Sequence, residues 1–144
     1  VGPTSVHLIF NGLLGVVLGR RAFMAMVIGL FLQAPLLQIS GYSVLGVNAC
    51  IFGIPAIVVW LLYRFMNPAS HQGRFFSGAL CGALGVLLSG TFFMLVLLYH
   101  GDSFKSLAEF VFLFHLPIMI IEGIVTGFTV QFLAQVQPAL LKES

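Results

Sequence analysis

Apolar positions in this 144-residue chain fall in long runs, not in the alternating or one-face patterns of water-soluble strands and helices. Five runs stand out: Val6–Gly19, Ala22–Ile39, Val44–Tyr63, Phe75–Tyr99 and Leu107–Leu133. A helix needs about 20 mainly apolar residues to cross the hydrocarbon core of a bilayer. The pattern therefore predicts an all-α polytopic membrane protein: a transmembrane helix bundle with about five apolar segments, residues 1–144 forming a single transmembrane domain. Gly29 and Pro35 fall inside the second run, and Pro117 lies in the first half of the fifth. Gly53 and Pro55 are expected to break the third. The first run is too short to span comfortably, which leaves two readings: the end of a longer helix, or a re-entrant piece buried in protein. The start at Val1, with no methionine, points to further residues upstream.

Composition strengthens the membrane reading. Hydrophobic residues make up 60% of the chain and charged residues 7%, against about 25% charged in a typical soluble domain. So little charge cannot cover a water-facing surface. The net charge of +2 gives no argument for nucleic acid. A cleavable signal peptide fits poorly, because Arg20 and Arg21 follow the first apolar run instead of preceding it. Cys50 and Cys81 lie far apart in apolar runs and read as buried free thiols, not as a disulfide or a zinc site.

The basic residues then orient the bundle. If all five segments cross, Arg20, Arg21, Arg64, Arg74 and Lys142 share one side and Lys105 lies on the other. Loops rich in Lys and Arg stay in the cytoplasm. "VGPTSVH", "SGYSV" and "HGDSFK" then lie together at the outer face, and His7 with them.

Few polar residues occupy the apolar runs, and ionisable groups there default to functional candidates. His7 follows "GPTS", where Thr4 or Ser5 is placed to cap a helix. Its position fits either an interfacial histidine or an imidazole ligand for nickel, cobalt, copper or zinc. His115 and Glu122 are seven residues apart, almost two helical turns, and so point the same way. They read as part of an ion path, as support around a metal, or as a hydrogen bond that fixes helix packing. Asn48, in "LGVN", is placed to bridge helices or to orient a ligand. His100 and Asp102 read as an outer-loop surface pair, and His71 faces the cytoplasm.

In "GALCGALG", Gly78 and Gly82, then Ala79 and Ala83, repeat at four and give one helix a small-residue face. Such a face either packs within the bundle or docks a separate membrane subunit. Gly15 and Gly19 repeat the spacing on the first segment. The chain has no Walker-type phosphate loop, HExxH or GxSxG, so an ATPase or enzyme reading has little to stand on.

Three stretches, in order, carry a resemblance: "GPTSVHLIFNGLLGVVLGRRAF", "GLFLQAPLLQISGYSVLGVNACIFGIPA" and "FHLPIMIIEGIVTGFTVQFLAQVQPALL". Together, and above all in "TSVHL", "GVN" and "HLPIMIIEG", they resemble the nickel/cobalt-specific S component of energy-coupling-factor (ECF) transporters, the CbiM/NikM family. The resemblance implies a subunit that binds a divalent ion at the outer face of a bacterial or archaeal cytoplasmic membrane. Nickel or cobalt would be the transported substrate, with no prosthetic group, and cobalamin biosynthesis one destination of cobalt. The implied partners are a transmembrane coupling (T) subunit and a pair of ATP-binding subunits. The implied metal ligand is His7; a Met-His start upstream of the matching region supplies the family's remaining nitrogens. Asn48, His115 and Glu122 match recurrent positions and are expected to support the site or the packing. Gly78, Ala79, Gly82 and Ala83 become candidates for subunit contact. The competing expectations are an S component for an organic micronutrient, a structural or assembly membrane protein, and a membrane enzyme using Glu122 and His115.

Overall fold

The computed structural model describes residues 9–37, 42–101 and 104–142. His7, Thr4, Ser5 and Asp102 lie outside them, so the expectations placed on those residues meet no structure here. Every regular element among the described residues is helical: α1 (Asn11–Leu18), a short 3-10 turn (Gly19–Arg21), α2 (Ala22–Leu37), α3 (Tyr42–Met66), α4 (His71–Tyr99), α5 (Lys105–Val136) and α6 (Pro138–Lys142).

Among the described residues four stretches are long and apolar enough to cross a membrane: Asn11–Gln33, Leu45–Met66, His71–Tyr99 and Lys105–Val136. The chain is thus an all-α, multi-pass membrane protein. Large apolar side chains stay exposed along the outside, among them Met24, Phe31, Leu61, Phe76, Leu113 and Phe128. In a bilayer these meet acyl chains, which solvate them as well as a core would.

Two expectations need correction. Among the described residues the five apolar runs give four candidate spans and not five crossings, because the first and second runs fall within one span. They are not one straight helix, because Gly19 sits at φ 56, ψ −128 and interrupts the helix between α1 and α2. Glycine tolerates that conformation without a Cβ penalty. The eight residues of α1 reach only about 12 Å, less than half the hydrocarbon core. The third run is not broken either, since α3 continues through Gly53 and Pro55. Gly53 leaves space instead of ending the helix: a Cβ there would collide with the ring of Phe23 on α2.

The interior is organised by α1. Its first residue, Asn11, lies beside Gly85 and Ser89, halfway along α4. Val16 packs in a buried cluster with Val59, Tyr63, Cys81 and Val130. The half-helix thus starts mid-bundle and heads toward the end where α3 finishes and α4 begins. There the chain turns at Gly19–Arg21 and returns as α2 along α3, with Ala22, Met26 and Ala56 in a second buried cluster. Cys81 is buried, its thiol directed at the Val59 carbonyl, whereas Cys50 is exposed, correcting the reading of two buried thiols.

The tightest seam joins α4 and α5. A Cβ on Gly78 would lie 2.9 Å from Val130 Cβ, and one on Gly82 2.6 Å from Thr126 Oγ1 and 2.7 Å from the Glu122 carbonyl oxygen. Gly123 of α5 answers from the other side, against the Ala79 carbonyl at 3.0 Å and Ala83 Cβ at 3.4 Å. Of the two readings of the small-residue face, packing within the bundle describes Gly78 and Gly82, which α5 of the same chain covers. Both glycines are buried, while Ala79 and Ala83 keep partial exposure.

Candidate functional site

A helix that begins inside a bundle has a specific difficulty. Its first N–H groups have no partner within the helix, and no water is at hand to take them. Phe10, in the N-cap position of α1, offers no side-chain cap and lies in the left-handed region at φ 53. The acceptor comes instead from another helix, 112 residues along the chain. The Glu122 carboxylate accepts the Ile9 N–H at Oε1 and the Phe10 N–H at Oε2, the latter at 3.0 Å. Glu122 is completely buried. A negative group at the positive end of a helix, with two N–H donors aimed at it, is a stable arrangement for a carboxylate inside a membrane.

Asn11 completes the junction and is also completely buried. Its amide donates to the Gly85 carbonyl at 3.0 Å and to Ser89 Oγ, and its Oδ1 accepts the Gly12 N–H at 2.9 Å. The close approach needs glycine on both sides: a Cβ on Gly12 would lie 2.7 Å from the Cys81 carbonyl oxygen, and one on Gly85 2.8 Å from Gly12 Cα. Two side chains from two helices thus fix where the chain enters α1, one through the backbone and one through an amide.

His115 lies on the same α4-facing side of α5 as Glu122, as their spacing predicts. Its Nδ1 donates to the Val111 carbonyl at 2.8 Å, and its ring rests against Gly90, where a Cβ would be 3.5 Å away. The Glu122 carboxylate is turned to the α1 backbone and the His115 ring to its own helix. Asn48 is half-buried on α3. Among the described residues the backbones of α3 and α5 are not neighbours, which sets Asn48 apart from the helix that carries Glu122 and His115. At the opposite end of the bundle, His71 meets Gln131 and Gln135, with Gln131 Nε2 2.7 Å from Nδ1. A neutral imidazole has one donor and one acceptor, so one amide donates to it and the other, turned over, accepts. His100 is exposed and donates to the Val96 carbonyl at 2.7 Å. Among the described residues, no three His, Cys, Asp or Glu side chains gather into a metal-holding group.

Asn11 and Ser89 are functional candidates that the sequence reading passed over. The signal was present: Asn11 is as isolated in its apolar run as Asn48 is.

The comparisons with known proteins agree with this architecture. Residues 1–140 match the family described as CbiM, the cobalt uptake substrate-specific transmembrane region. The chain is 31% identical over 147 aligned residues to a protein of Haemophilus influenzae named "Putative metal transport protein", the alignment covering 100% of this chain and 71% of that one. No solved structure matches. A multi-pass bundle whose apolar centre holds a carboxylate at the start of a half-helix, matched along nearly its whole length, belongs to the CbiM family of cobalt uptake transmembrane proteins, whose work is metal-ion transport.

Proposed function

We propose that the chain is the substrate-binding S component of an ECF transporter for cobalt or nickel, and that His7 is a ligand to the captured ion. The ion enters at the outer face, outer loops enclose it, and partner ATP-binding subunits acting through a coupling (T) subunit drive its release inward. The side carrying Arg20, Arg21, Arg64 and Arg74 is cytoplasmic. This orientation does not need α1 to cross the membrane, because α1 heads toward the Arg64 end before the chain turns at Arg20 and Arg21.

One observation supports the reading above the others: the buried Glu122 carboxylate grips the backbone at Ile9 and Phe10. Two peptide steps separate Ile9 from His7, roughly 7 Å at full extension. A ligand loop that carries a divalent ion needs a fixed anchor, and outer-shell groups of this kind typically change metal affinity about 10–100-fold. Glu122 and Asn11 are positioning residues in this reading, holding the segment that presents His7. Asn48 and His115 support helix packing near the outer end.

Calorimetric titration of cobalt and nickel into the whole protein, parent and His7→Ala side by side, tests the proposal. Stoichiometric binding of one ion by the parent, lost in the variant, is the expected result, and it identifies the preferred ion. A variant that binds as the parent does would make His7 a packing residue and overturn the reading.

A further inference from the structure

At the end of the bundle opposite the Phe10–Glu122 junction, a cavity of about 440 Å³ opens between the C-terminal turn of α3, the 67–70 loop, the start of α4 and α6. Its polar lining is rich in donors: Arg64, Arg74, Tyr63 and Trp60, with Asn67 beside them. The Arg64 guanidinium lies 5.8 Å from the centroid of the Trp60 ring, and Arg74 Nε donates to the Pro68 carbonyl at 3.4 Å. Neither arginine has a carboxylate partner among the described residues. The acids of α5 are out of reach. Glu122 is level with Gly82, eight residues and about 12 Å of helix beyond Arg74, and Glu109 lies farther still. The Trp60 indole N–H is buried with no acceptor among the described residues. Two guanidiniums, a phenol and an indole, with no anion among the described residues to receive them, fit a site for an oxyanion.

The surroundings say where that oxyanion is attached. Leu61 and Phe65, one turn before and one residue after Arg64, are 53% and 89% exposed, and Val136 and Leu140 beside α6 are exposed as well. Apolar side chains at this level face acyl chains. Basic and aromatic residues grouped where a helix leaves the hydrocarbon mark the headgroup region. The cavity therefore offers donors to a head and an apolar flank to its tail. We propose that it holds the phosphate headgroup of an anionic phospholipid such as phosphatidylglycerol, and so ties the α3–α4 loop and α6 to one leaflet. The inference stands apart from the identity of the transported ion.

Trp60 is the chain's single tryptophan, so its fluorescence reports on this cavity alone. The whole protein is placed in phosphatidylcholine vesicles containing, at equal mole fraction, either phosphatidylglycerol or phosphatidylcholine with brominated acyl chains, which quench indole at near-contact range. The brominated phosphatidylglycerol is expected to associate roughly tenfold more strongly near Trp60. Arg64→Gln with Arg74→Gln should bring the two lipids to equality, and Arg64→Lys with Arg74→Lys should keep part of the preference. Equal quenching by both lipids in the parent would overturn the proposal without any variant having to fold. So would a preference that survives in a folded Gln variant. Displacement of the brominated lipid by soluble glycerol phosphate would reassign the cavity to a free anion and likewise defeat it.

Discussion

The centre of this bundle is held together in two unlike ways. Along the α4–α5 seam the helices meet because side chains are missing. Gly78 and Gly82 face Val130, Thr126 and the Glu122 backbone, and Gly123 faces Ala79 and Ala83. At the start of α1 the elements meet because polar groups are present: one carboxylate and one amide take up the backbone and carbonyl groups of their neighbours. The seam relies on contact area and tolerates no added volume. The junction relies on five hydrogen bonds that have no substitute in lipid. The two share residues. Glu122 gives its backbone to the seam and its side chain to the junction, and Gly85 gives a carbonyl to Asn11 and a bare Cα to Gly12. A change at either place is felt at the other, which is how a packed helix pair can set the position of a loop two residues from His7.

The difference is best broken at Glu122. Glu122→Leu keeps the volume close and removes both acceptors, leaving the half-buried Ile9 and Phe10 N–H groups without them. Each such group costs about 1–3 kcal/mol, so a loss of roughly 2–6 kcal/mol is expected, together with loss of cobalt accumulation by cells. Glu122→Gln keeps one acceptor oxygen but turns an NH₂ toward the other donor. It should fold and retain metal more weakly. Thermal unfolding in detergent and metal titration on both variants separate the two effects. If the Leu variant unfolds with the parent, the junction is ornamental.

The seam should give the next largest effect. In Gly82→Val the new Cβ would lie 2.6 Å from Thr126 Oγ1 and 2.7 Å from the Glu122 carbonyl oxygen. The backbone oxygen cannot rotate away, so the helices must part. Overpacking of this kind costs up to about 3 kcal/mol, and the expected signs are a lower unfolding temperature and poor recovery of monodisperse protein. A variant as stable as the parent would mean that α4 and α5 slide apart easily, and the seam would then not fix the level of Glu122.

Asn11→Ala sharpens the comparison from the junction side. It removes the bonds to Gly85 and Ser89 while leaving Glu122 in place, and about 1–2 kcal/mol is the expected loss. Ser89→Ala should cost less. In the double variant the two losses should fall short of their sum, because they share one hydrogen bond. Fully additive unfolding data would show that the Asn11–Ser89 contact contributes nothing.

The apolar runs revealed the helices because lipid demands long unbroken hydrophobicity, and that demand is written residue by residue. Glu122 was legible for the same reason, as a carboxylate in the middle of such a run. Its partner was not legible. The Ile9 and Phe10 N–H groups belong to apolar residues, and a backbone donor leaves no mark in a sequence. The break at Gly19 was equally hidden, since glycine is frequent throughout the chain and only the conformation at Gly19 distinguishes it from Gly15, which packs against Ala56. The small-residue face was visible at Gly78 and Gly82, but spacing alone does not say whether its occupant is α5 or another chain. His115 and Glu122 were rightly placed on one face, yet each turns to a backbone group.

The smallest expected effect tests where seam and junction overlap. Thr126 is completely buried beside Gly82, and its hydroxyl has no hydrogen-bond partner among the described residues. Elsewhere on the same helix Thr129 returns its hydroxyl to the carbonyl four residues back, at 2.8 Å. Replacing a buried, unpaired hydroxyl by a methyl removes a desolvation cost and keeps the β-branched shape that lies against Gly82. Thr126→Val should therefore leave the unfolding temperature unchanged or raise it by the equivalent of up to about 1 kcal/mol. Thr129→Val, on the exposed side, gives the comparison: the same change at a hydroxyl that is hydrogen-bonded to its own helix. If Thr126→Val destabilises where Thr129→Val does not, the Thr126 hydroxyl has a partner in the membrane-embedded protein. The seam would then be a second polar junction, one turn from Glu122, and the contrast between the two regions would close.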